Sequence, residues 1–340
     1  MTELIAIQIA TYHSSKDFSR VIKSIKDQTF TDWKVYVYEN SCDAEEATRV
    51  KELLEQSGIS FSLIVSEQNA GFSAHNHLFV TQEAKYTLVL NDDAYLDQAF
   101  LERLVTVMDA DATIAAAAGM VFRWIGESDV VLNAETRIDT AGLHYDSLAH
   151  VVDRFSGVKW GDVSSQLQSV QQVWGVSGAV VLYRRSALLE TALGVYIYDP
   201  TFFMYKEDVE LAIRLARKGY CSLLVPDAQS FHRRAAKDPV RGLLARGIEE
   251  RRRPERLRIM MVRNQWMIYV YHCSWQLGLR DLCASLLFEL VHSAGVFVVS
   301  PLVFLKAWGR IFQSLPVALR VRRELMARRH LKRFFYVKPS

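Results

Sequence analysis

Residues 86–93 read Tyr86-Thr87-Leu88-Val89-Leu90-Asn91-Asp92-Asp93. An apolar run followed at once by three polar residues describes a buried strand that ends at an open sheet edge. The same unit recurs upstream. Ile5-Ala6-Ile7-Gln8-Ile9-Ala10 ends at Thr11, Val35-Tyr36-Val37-Tyr38 ends at Glu39-Asn40-Ser41, and Phe61-Ser62-Leu63-Ile64-Val65 makes a further strand. Helical patterns separate them. Phe18, Val21, Ile22 and Ile25 share one face of a helix from about Asp17 to Gln28, and a polar helix runs from about Ala44 to Gln56. The loop Glu67-Gln68-Asn69-Ala70-Gly71-Phe72 opens another helix. This alternation predicts a parallel α/β sheet with ligands at the carboxyl ends of its strands. Thr11, Glu39, Asn69 and Asp93 fall at or near that edge.

Downstream, a helix is expected from Ala94 to about Met108, and Ile114 to Val121 resumes strand texture. Residues 123–172 carry a mixed pattern and read as insertions around the sheet. Val173 to Arg184 looks like a strand, and the α/β texture fades beyond Pro226-Asp227. A Pro-interrupted, Arg-rich stretch at 241–263 marks a boundary. The expected organisation is a catalytic body over 1–240 and a basic, apolar helical extension over 241–340.

The 340 residues can bury a sizeable core. Charge is split unevenly: residues 1–240 sum to about −10 and residues 241–340 to about +13, which together give the chain's +3. A basic apron of this kind suits an anionic surface. Cys42, Cys221, Cys273 and Cys283 form no CxxC pair and no zinc-ligand spacing, so they read as reduced thiols. Met1 leads straight into a strand-like run without a secretory signal, which predicts a cytoplasmic protein.

Two acidic clusters carry the chemistry. Asn91-Asp92-Asp93 follows a strand, and Glu207-Asp208 opens the amphipathic stretch Val209-Glu210-Leu211-Ala212-Ile213-Arg214-Leu215. Each has an ordinary alternative: Asn and Asp form turns, and acidic residues favour the first turn of a helix. Asp109-Ala110-Asp111 fits a literal D-x-D pattern better, but it follows a helix and reads as a helix-end loop. Placement favours the first cluster, because Mg²⁺ or Mn²⁺ is commonly shared between one or two carboxylates and substrate phosphates. The second follows the aromatic segment Asp199-Pro200-Thr201-Phe202-Phe203-Met204-Tyr205, which could wall a pocket and desolvate a general base. The pair suggests metal-assisted transfer of a phosphate-activated group to an alcohol. No G-x-G-x-x-G after a strand, Walker loop, H-E-x-x-H or G-x-S-x-G is present, so dehydrogenase, ATPase, zinc-protease and serine-hydrolase readings lose their support.

Taken in order, these pieces resemble the family 2 inverting glycosyltransferases. The resemblance covers roughly residues 4–235 and is closest to the rhamnosyl- and galactofuranosyl-transferase branch of bacterial surface polysaccharide synthesis. It rests on Ile9-Ala10-Thr11-Tyr12, Val37-Tyr38-Glu39-Asn40-Ser41, Asn69-Ala70-Gly71-Phe72 with Asn76, and Leu90-Asn91-Asp92-Asp93. It continues through Gly175-Val176-Ser177-Gly178-Ala179, Phe202-Phe203-Met204-Tyr205-Lys206-Glu207-Asp208 and Arg214-Leu215-Ala216-Arg217-Lys218-Gly219-Tyr220.

The resemblance implies a GT-A fold, which is a Rossmann-like, mostly parallel central sheet flanked by helices. It implies Thr11, Glu39, Asn40, Asn69, Gly71, Asn91 and Asp92 around a nucleotide-sugar donor, and Asp93 with His232 at Mn²⁺ or Mg²⁺. Asp208 would be the catalytic base, with Trp174, Gly175 and Glu207 on the acceptor side. The donor would be dTDP-rhamnose or a UDP-sugar, and the acceptor a glycan or lipid-linked saccharide hydroxyl. Two residues depart from the family pattern: Glu39 stands where Asp is usual, and the metal motif begins with Asn91 rather than Asp. The Q-x-x-R-W motif of processive members is absent, which favours addition of one or a few sugars.

The C-terminal third adds a partner. Leu282 to Leu305 is about 24 residues, long enough to span a bilayer, but Glu289 and His292 interrupt it. With Trp308-Gly309-Arg310-Ile311-Phe312 and the Arg-rich tail, it predicts an interfacial helix on an anionic membrane, at the inner face of the cell membrane. A core helix or homo-oligomer contact is the competing reading. Arg251-Arg252-Arg253 and the tail from Arg320 to Arg333 would also suit nucleic acid, but the adjacent apolar run favours membrane. An inactive protein of the same fold is the remaining alternative.

Overall fold

Strand β1 (Ile5–Thr11) lies inside the sheet because it is buried on both faces: Ile5, Ile7 and Ile9 are fully buried on one, and Ala6 with the polar Gln8 on the other. It pairs in parallel with β2 (Trp33–Glu39) on one side and β4 (Tyr86–Leu90) on the other, and β2 carries β3 (Phe61–Val65) at the edge. The computed structural model describes residues 3–125, 131–145, 151–233, 253–272 and 279–327. Helix α1 (Ser15–Lys26) buries Phe18, Val21, Ile22 and Ile25 against this sheet, as their spacing predicts. Helix α2 (Ala44–Ser57) starts where Asp43 accepts the backbone N–H groups of Glu45 and Glu46 at 2.9 and 3.2 Å, which satisfies two donors that no helical carbonyl can reach. Helix α3 (Ala74–Val80) follows a single 3₁₀ turn at Gly71–Ser73.

The far half of the sheet is mixed. Next to β4 comes the reversed β11 (Val180–Arg184), then β6 (Ile114–Arg123), β12 (Cys221–His232) and β10 (Gln171–Val173). β6 and β12 are parallel. The expected single strand over 173–184 is therefore two, separated by residues 174–179, and the second runs against its neighbours.

Two further expectations are corrected. Ala94–Leu96 is a short strand, β5, antiparallel to β12, and helix α4 (Phe100–Ala110) begins later than read from pattern. The sheet also does not end at Pro226. β12 passes through Pro226 and Asp227 by a bulge in which Val225 faces Gly119 and Gln229 faces Met120, so the proline needs no ladder hydrogen bond. Gly119 fits that bulge because a Cβ there would stand 2.1 Å from the carbonyl oxygen of Ala228. Within 123–172 lie β7 (Ile138–Thr140), paired to β6, and the hairpin β8 (Leu143–Tyr145) with β9 (Val151–Asp153).

A four-residue helix α5 (Trp160–Val163), then α6 (Arg185–Thr191) and α7 (Glu207–Arg217), complete the sheet layer. Three helices follow: α8 (Glu255–His272), α9 (Leu279–Val299) and α10 (Pro301–Ala327). The apolar segment 282–305 is thus not one helix; the chain breaks at Ser300, ahead of Pro301. The boundary at 240 and the Arg251-Arg252 pair lie outside the described residues, as does the tail beyond Ala327. Among the described residues Cys42, Cys221 and Cys283 are free thiols.

Candidate active site

The carboxyl ends of β1, β2, β4 and β12 and the amino end of β11 meet along one edge. Thr11 and Glu39 are register partners there, and both are fully buried. Glu39 accepts the N–H of Ser41 at 2.9 Å with one oxygen, while its other oxygen and the Thr11 hydroxyl have no hydrogen-bond partner among the described residues. Buried polar atoms of this kind are costly unless a ligand or water meets them. The loop beside them is built by two asparagines. Asn40 donates to the carbonyl of Gly71 at 3.1 Å and accepts the N–H of Ala70 at 2.7 Å, and Asn69 accepts the N–H of Gly71 at 2.8 Å. Both amides are engaged in shaping the 69–72 loop.

At the end of β4, Asp92 accepts the N–H of Tyr12 at 2.9 Å, tying the β1 and β4 exits together. Burial, and more weakly the neighbouring Asp93, raise its carboxyl to about 6. Asp93 faces outward and lies 3.0 Å from His232 Nε2, with the Asn91 amide 3.2 Å from the same nitrogen. His232 Nδ1 is 2.8 Å from Asp139 on β7. Burial alone would lower the imidazole, but hydrogen bonds to Asp139 and Asp93 outweigh it and raise His232 to about 10. Among the described residues no group of three or more His, Cys, Asp or Glu side chains forms a protein-only metal cage. Asp93 could share a cation with substrate phosphates, and His232 could join it once its ring gives up the Nε2 proton, with Asp139 then fixing the ring through Nδ1. Asp139 is the residue that the sequence reading missed, because nothing in its short strand distinguishes it from an ordinary polar position. The decoy behaves as a helix end: Asp111 accepts the N–H of Thr113 at 2.7 Å, and Asp109 bonds Tyr86 at 2.6 Å.

Across the edge, helix α7 presents Glu207 and Asp208 in its first turn. Asp208 accepts the N–H of Gly178 at 3.0 Å and that of Val209 at 2.7 Å, one with each oxygen. An ionised carboxylate has about four lone-pair sites, so acceptor capacity remains. Glu207 is buried with one oxygen unpartnered among the described residues, and burial followed by the charge of Asp208 raises it to about 8. Burial thus biases Glu207 toward its neutral form, so the two adjacent acids sit in environments suited to different roles. Gly178-Ala179 joins the two clusters, since the Ala179 carbonyl accepts the N–H of Asn91 at 2.9 Å. Trp174 packs with Leu143, Val209 and Ile213, and Gly175 lets its loop approach α7, where a Cβ would meet Ala212 at 2.8 Å. Both therefore support α7 from behind.

The comparisons agree with this architecture. The sequence profile described as Glycosyl transferase family group 2 matches residues 86–322, and that of Glycosyl transferase family 2 matches residues 6–157. An N-acetylglucosaminyl-diphospho-decaprenol L-rhamnosyltransferase of Mycobacterium tuberculosis is 39% identical over 80 residues, 23% of this chain. The match spans only 25% of that relative's length. Among solved structures, GalNAc-T7 with UDP, GalNAc and Mn²⁺ superposes with a TM-score of 0.57 at 13% identity, covering 81% of this chain and 49% of that one. The mannosyltransferase PcManGT of Pyrobaculum calidifontis, with GDP-Man and Mn²⁺, gives 0.51 at 14% identity, covering 96% and 86%. At such identities the structural likeness speaks for the fold, which is GT-A. With a family profile matching most of the chain around these two acidic clusters, the protein belongs to glycosyltransferase family 2.

Proposed function

We propose that the protein is an inverting glycosyltransferase that moves a sugar from a nucleotide-diphosphate donor to a hydroxyl of a glycan or lipid-linked saccharide. The observation that carries this reading is the Gly178-Ala179 bridge. It holds the Asp208 carboxylate through the Gly178 N–H on one side and the Asn91-Asp92-Asp93 turn through the Ala179 carbonyl on the other. Thr11 and Glu39 offer buried, unpaired polar atoms to the nucleotide, beside the loop that Asn40 and Asn69 shape. Asp93 and His232 would hold Mn²⁺ or Mg²⁺, whose Lewis acidity supplies charge compensation for the leaving diphosphate.

Asp208 takes the proton of the acceptor hydroxyl through its remaining lone pairs. The acceptor oxygen then forms its bond to the anomeric carbon as the bond to the diphosphate breaks on the opposite face, and configuration inverts. The name of the M. tuberculosis relative, an L-rhamnosyltransferase on N-acetylglucosaminyl-diphospho-decaprenol, supports a rhamnose donor, dTDP-rhamnose on this reading, and a lipid-linked diphosphate saccharide as acceptor. Assaying dTDP-rhamnose and a set of UDP-sugars for hydrolysis, with and without Mn²⁺, tests the reading. Donor consumption that requires the cation is expected, and none with any donor would overturn it.

The extension supports a membrane-facing role, with residues 1–240 as the catalytic body. Helix α9 is patterned inside out: Ser285, Glu289 and Ser293 are buried while Leu287, Leu290, Val291 and Val298 are exposed. Trp266 of α8 donates to Ser293 at 3.1 Å, and Tyr269 pairs with Ser285. Helix α10 is long and apolar enough to cross a membrane, with 22% of its apolar window buried, but it also exposes Lys306, Arg310 and Arg320. Apolar side chains outward with cations among them suit peripheral seating on an anionic bilayer at the cytoplasmic face.

A further inference from the structure

Helix α8 belongs to the C-terminal third, yet it grips the segment that leads into Glu207-Asp208. Asn264 is fully buried. Its Nδ2 lies 2.9 Å from the carbonyl oxygen of Phe202, 2.9 Å from that of Met204 and 2.8 Å from that of Tyr205. An amide nitrogen carries two hydrogens, so three carbonyls share them through at least one three-centre bond. Its Oδ1 accepts from Arg263, which reaches the Thr201 carbonyl at 2.8 Å. Tyr271, two turns on, donates to Asp199 at 2.7 Å, and Asp199 in turn accepts the N–H of Thr201 at 2.8 Å.

The backbone conformation shows why such a grip is needed. Phe203, Tyr205 and Lys206 have φ of 54°, 70° and 71°, where non-glycine residues are strained. Each costs on the order of 1–3 kcal/mol and persists only where its surroundings hold it. The N–H of Met204 bonds the carbonyl of Phe202, closing a three-residue turn at Phe203 (φ 54°, ψ −55°), the rarer and more strained hand of that turn. The contorted path points the carbonyls of 201, 202, 204 and 205 at α8. It sends the remaining one, Phe203, to the N–H of Phe72 at 2.7 Å in the 69–72 loop.

We infer that Asn264 is a positioning residue for the transfer reaction. It fixes the 202–206 turn and, through it, both the first turn of α7 that carries Asp208 and the 69–72 loop on the donor side. The inference rests on the reading of Asp208 as the base. The C-terminal extension is on this account part of the catalytic geometry, since the clamp on the base comes from it.

The test uses the full-length chain. Asn264→Leu fills the volume without donors, Asn264→Ala empties it, and Asn264→Ser restores one donor and is the variant best able to fold. Val303→Ala, a core truncation where α10 meets Ile259 and Val262, reports loosened packing alone. With the donor that wild type consumes best in the Mn²⁺ assay, kcat should fall about 10- to 100-fold in the Leu and Ala variants, the range expected for misplacement of about 1 Å. The Ser variant should fall between, and donor KM should move less than about threefold. Amide hydrogen exchange reads the clamp without turnover. Residues 203–210 should exchange at least about 10-fold faster in the Asn264 variants and unchanged in Val303→Ala.

Wild-type kcat in Asn264→Leu, or unaltered exchange in all three variants, would overturn the inference. An equal kcat loss in Val303→Ala would reduce Asn264 to general stability. Full turnover in Asp208→Asn together with a kcat loss in the Asn264 variants would instead strike the base assignment and leave the clamp standing.

Discussion

The carbonyl oxygen of Phe203 stands where a side chain at Gly71 would be: a Cβ built there lies 2.3 Å away, well inside contact distance. Gly71 has φ +61°, so alanine is strained as well as blocked. The 69–72 loop and the turn before α7 are thus one packed unit, closed by the Phe72–Phe203 hydrogen bond. We expect Gly71→Ala to lower the melting temperature and to weaken UDP or dTDP binding with Mn²⁺ by about 10-fold or more, since about 1–2 kcal/mol is lost to φ alone. Thermal melts and calorimetric titration check this; unchanged values in both would mean that the loop can shift without consequence.

Asp93 and Asp111 separate a proposed metal ligand from an acidic decoy. Asp93→Ala should abolish the Mn²⁺-dependent part of nucleotide binding and lower the melting temperature of the unliganded protein only modestly, because Asp93 is partly exposed and Asp139 still pairs with His232. Asp111→Ala loses its bond to the Thr113 N–H and should cost only about 0.5–1.5 kcal/mol of stability, with binding intact. Titrations with and without EDTA read the difference, and Mn²⁺-dependent affinity surviving in Asp93→Ala would remove it from the site.

Asp208→Asn should preserve nucleotide binding and lower turnover roughly 10²- to 10⁴-fold, the range for a lost general base. Glu207 is raised to about 8 and holds its proton at neutral pH, so Glu207→Gln is close to isosteric and isoelectronic and should cost less than about 10-fold. Steady-state kinetics on both variants decide the roles. The reverse order of effects would exchange them.

The sheet edge was legible because each strand is an apolar run stopped by polar residues, a pattern set by burial on both faces. Helix α1 followed from the spacing of Phe18, Val21, Ile22 and Ile25, and α2 from its polar helical pattern. What stayed hidden depends on tertiary pairing. Ala94–Leu96 becomes a strand only because β12 lies beside it, and β12 continues past Pro226 only because Gly119 accepts a bulge. Asp139 and Asn264 gain meaning from partners 93 and about 60 residues away, His232 and the 202–205 carbonyls, and no local signal marks such contacts.

A buried charge network contributes its own pH dependence to the fold. Glu210 is fully buried, receives Arg214 through both oxygens at 2.8 and 3.0 Å, and lies 3.1 Å from His272 of α8. Burial pushes Glu210 up, but Arg214 and then His272 outweigh it and hold it near 2. Its folded value lies below the usual 4.5, so its contribution is present above about pH 4.5 and is lost as pH falls toward 2. His272 is lowered by burial, and its contribution likewise fades as pH falls below about 6.5. The raised carboxyls of Glu207 and Asp92 act in the opposite sense on the wild-type curve, so the network is read by difference: the stability gap in urea between wild type and Glu210→Gln should shrink by on the order of 2 kcal/mol between pH 7 and pH 3. Arg214→Ala should cost about 3–5 kcal/mol at pH 7 by stranding the carboxylate. A gap between wild type and Glu210→Gln that stays constant from pH 7 to 3 would contradict the pairing.

The exposed apolar faces of α9 and α10 allow a quantitative expectation. Leu287, Leu290, Val291, Phe297 and Val298 on α9, and Leu302, Leu305 and Phe312 on α10, are each at least half exposed. Seating such side chains in a bilayer interface contributes up to about 1.5–3 kcal/mol each when burial is complete. Exposed Arg310 and Arg320 add about 1 kcal/mol apiece near an anionic surface. Glu289, which would oppose insertion, is turned inward and lies 3.7 Å from His292. Full-length protein should float with vesicles containing 30 mol% phosphatidylglycerol and bind pure phosphatidylcholine about 10-fold less well, reflecting the charge contribution. Val298→Gln with Phe312→Gln should weaken binding to both vesicles, whereas Arg310→Glu with Arg320→Glu should remove only the preference for the anionic one. Release by alkaline carbonate would mark the attachment as peripheral, and resistance to it would mean that α10 crosses the bilayer. If the protein floats with neither vesicle, the apolar faces are not a membrane surface.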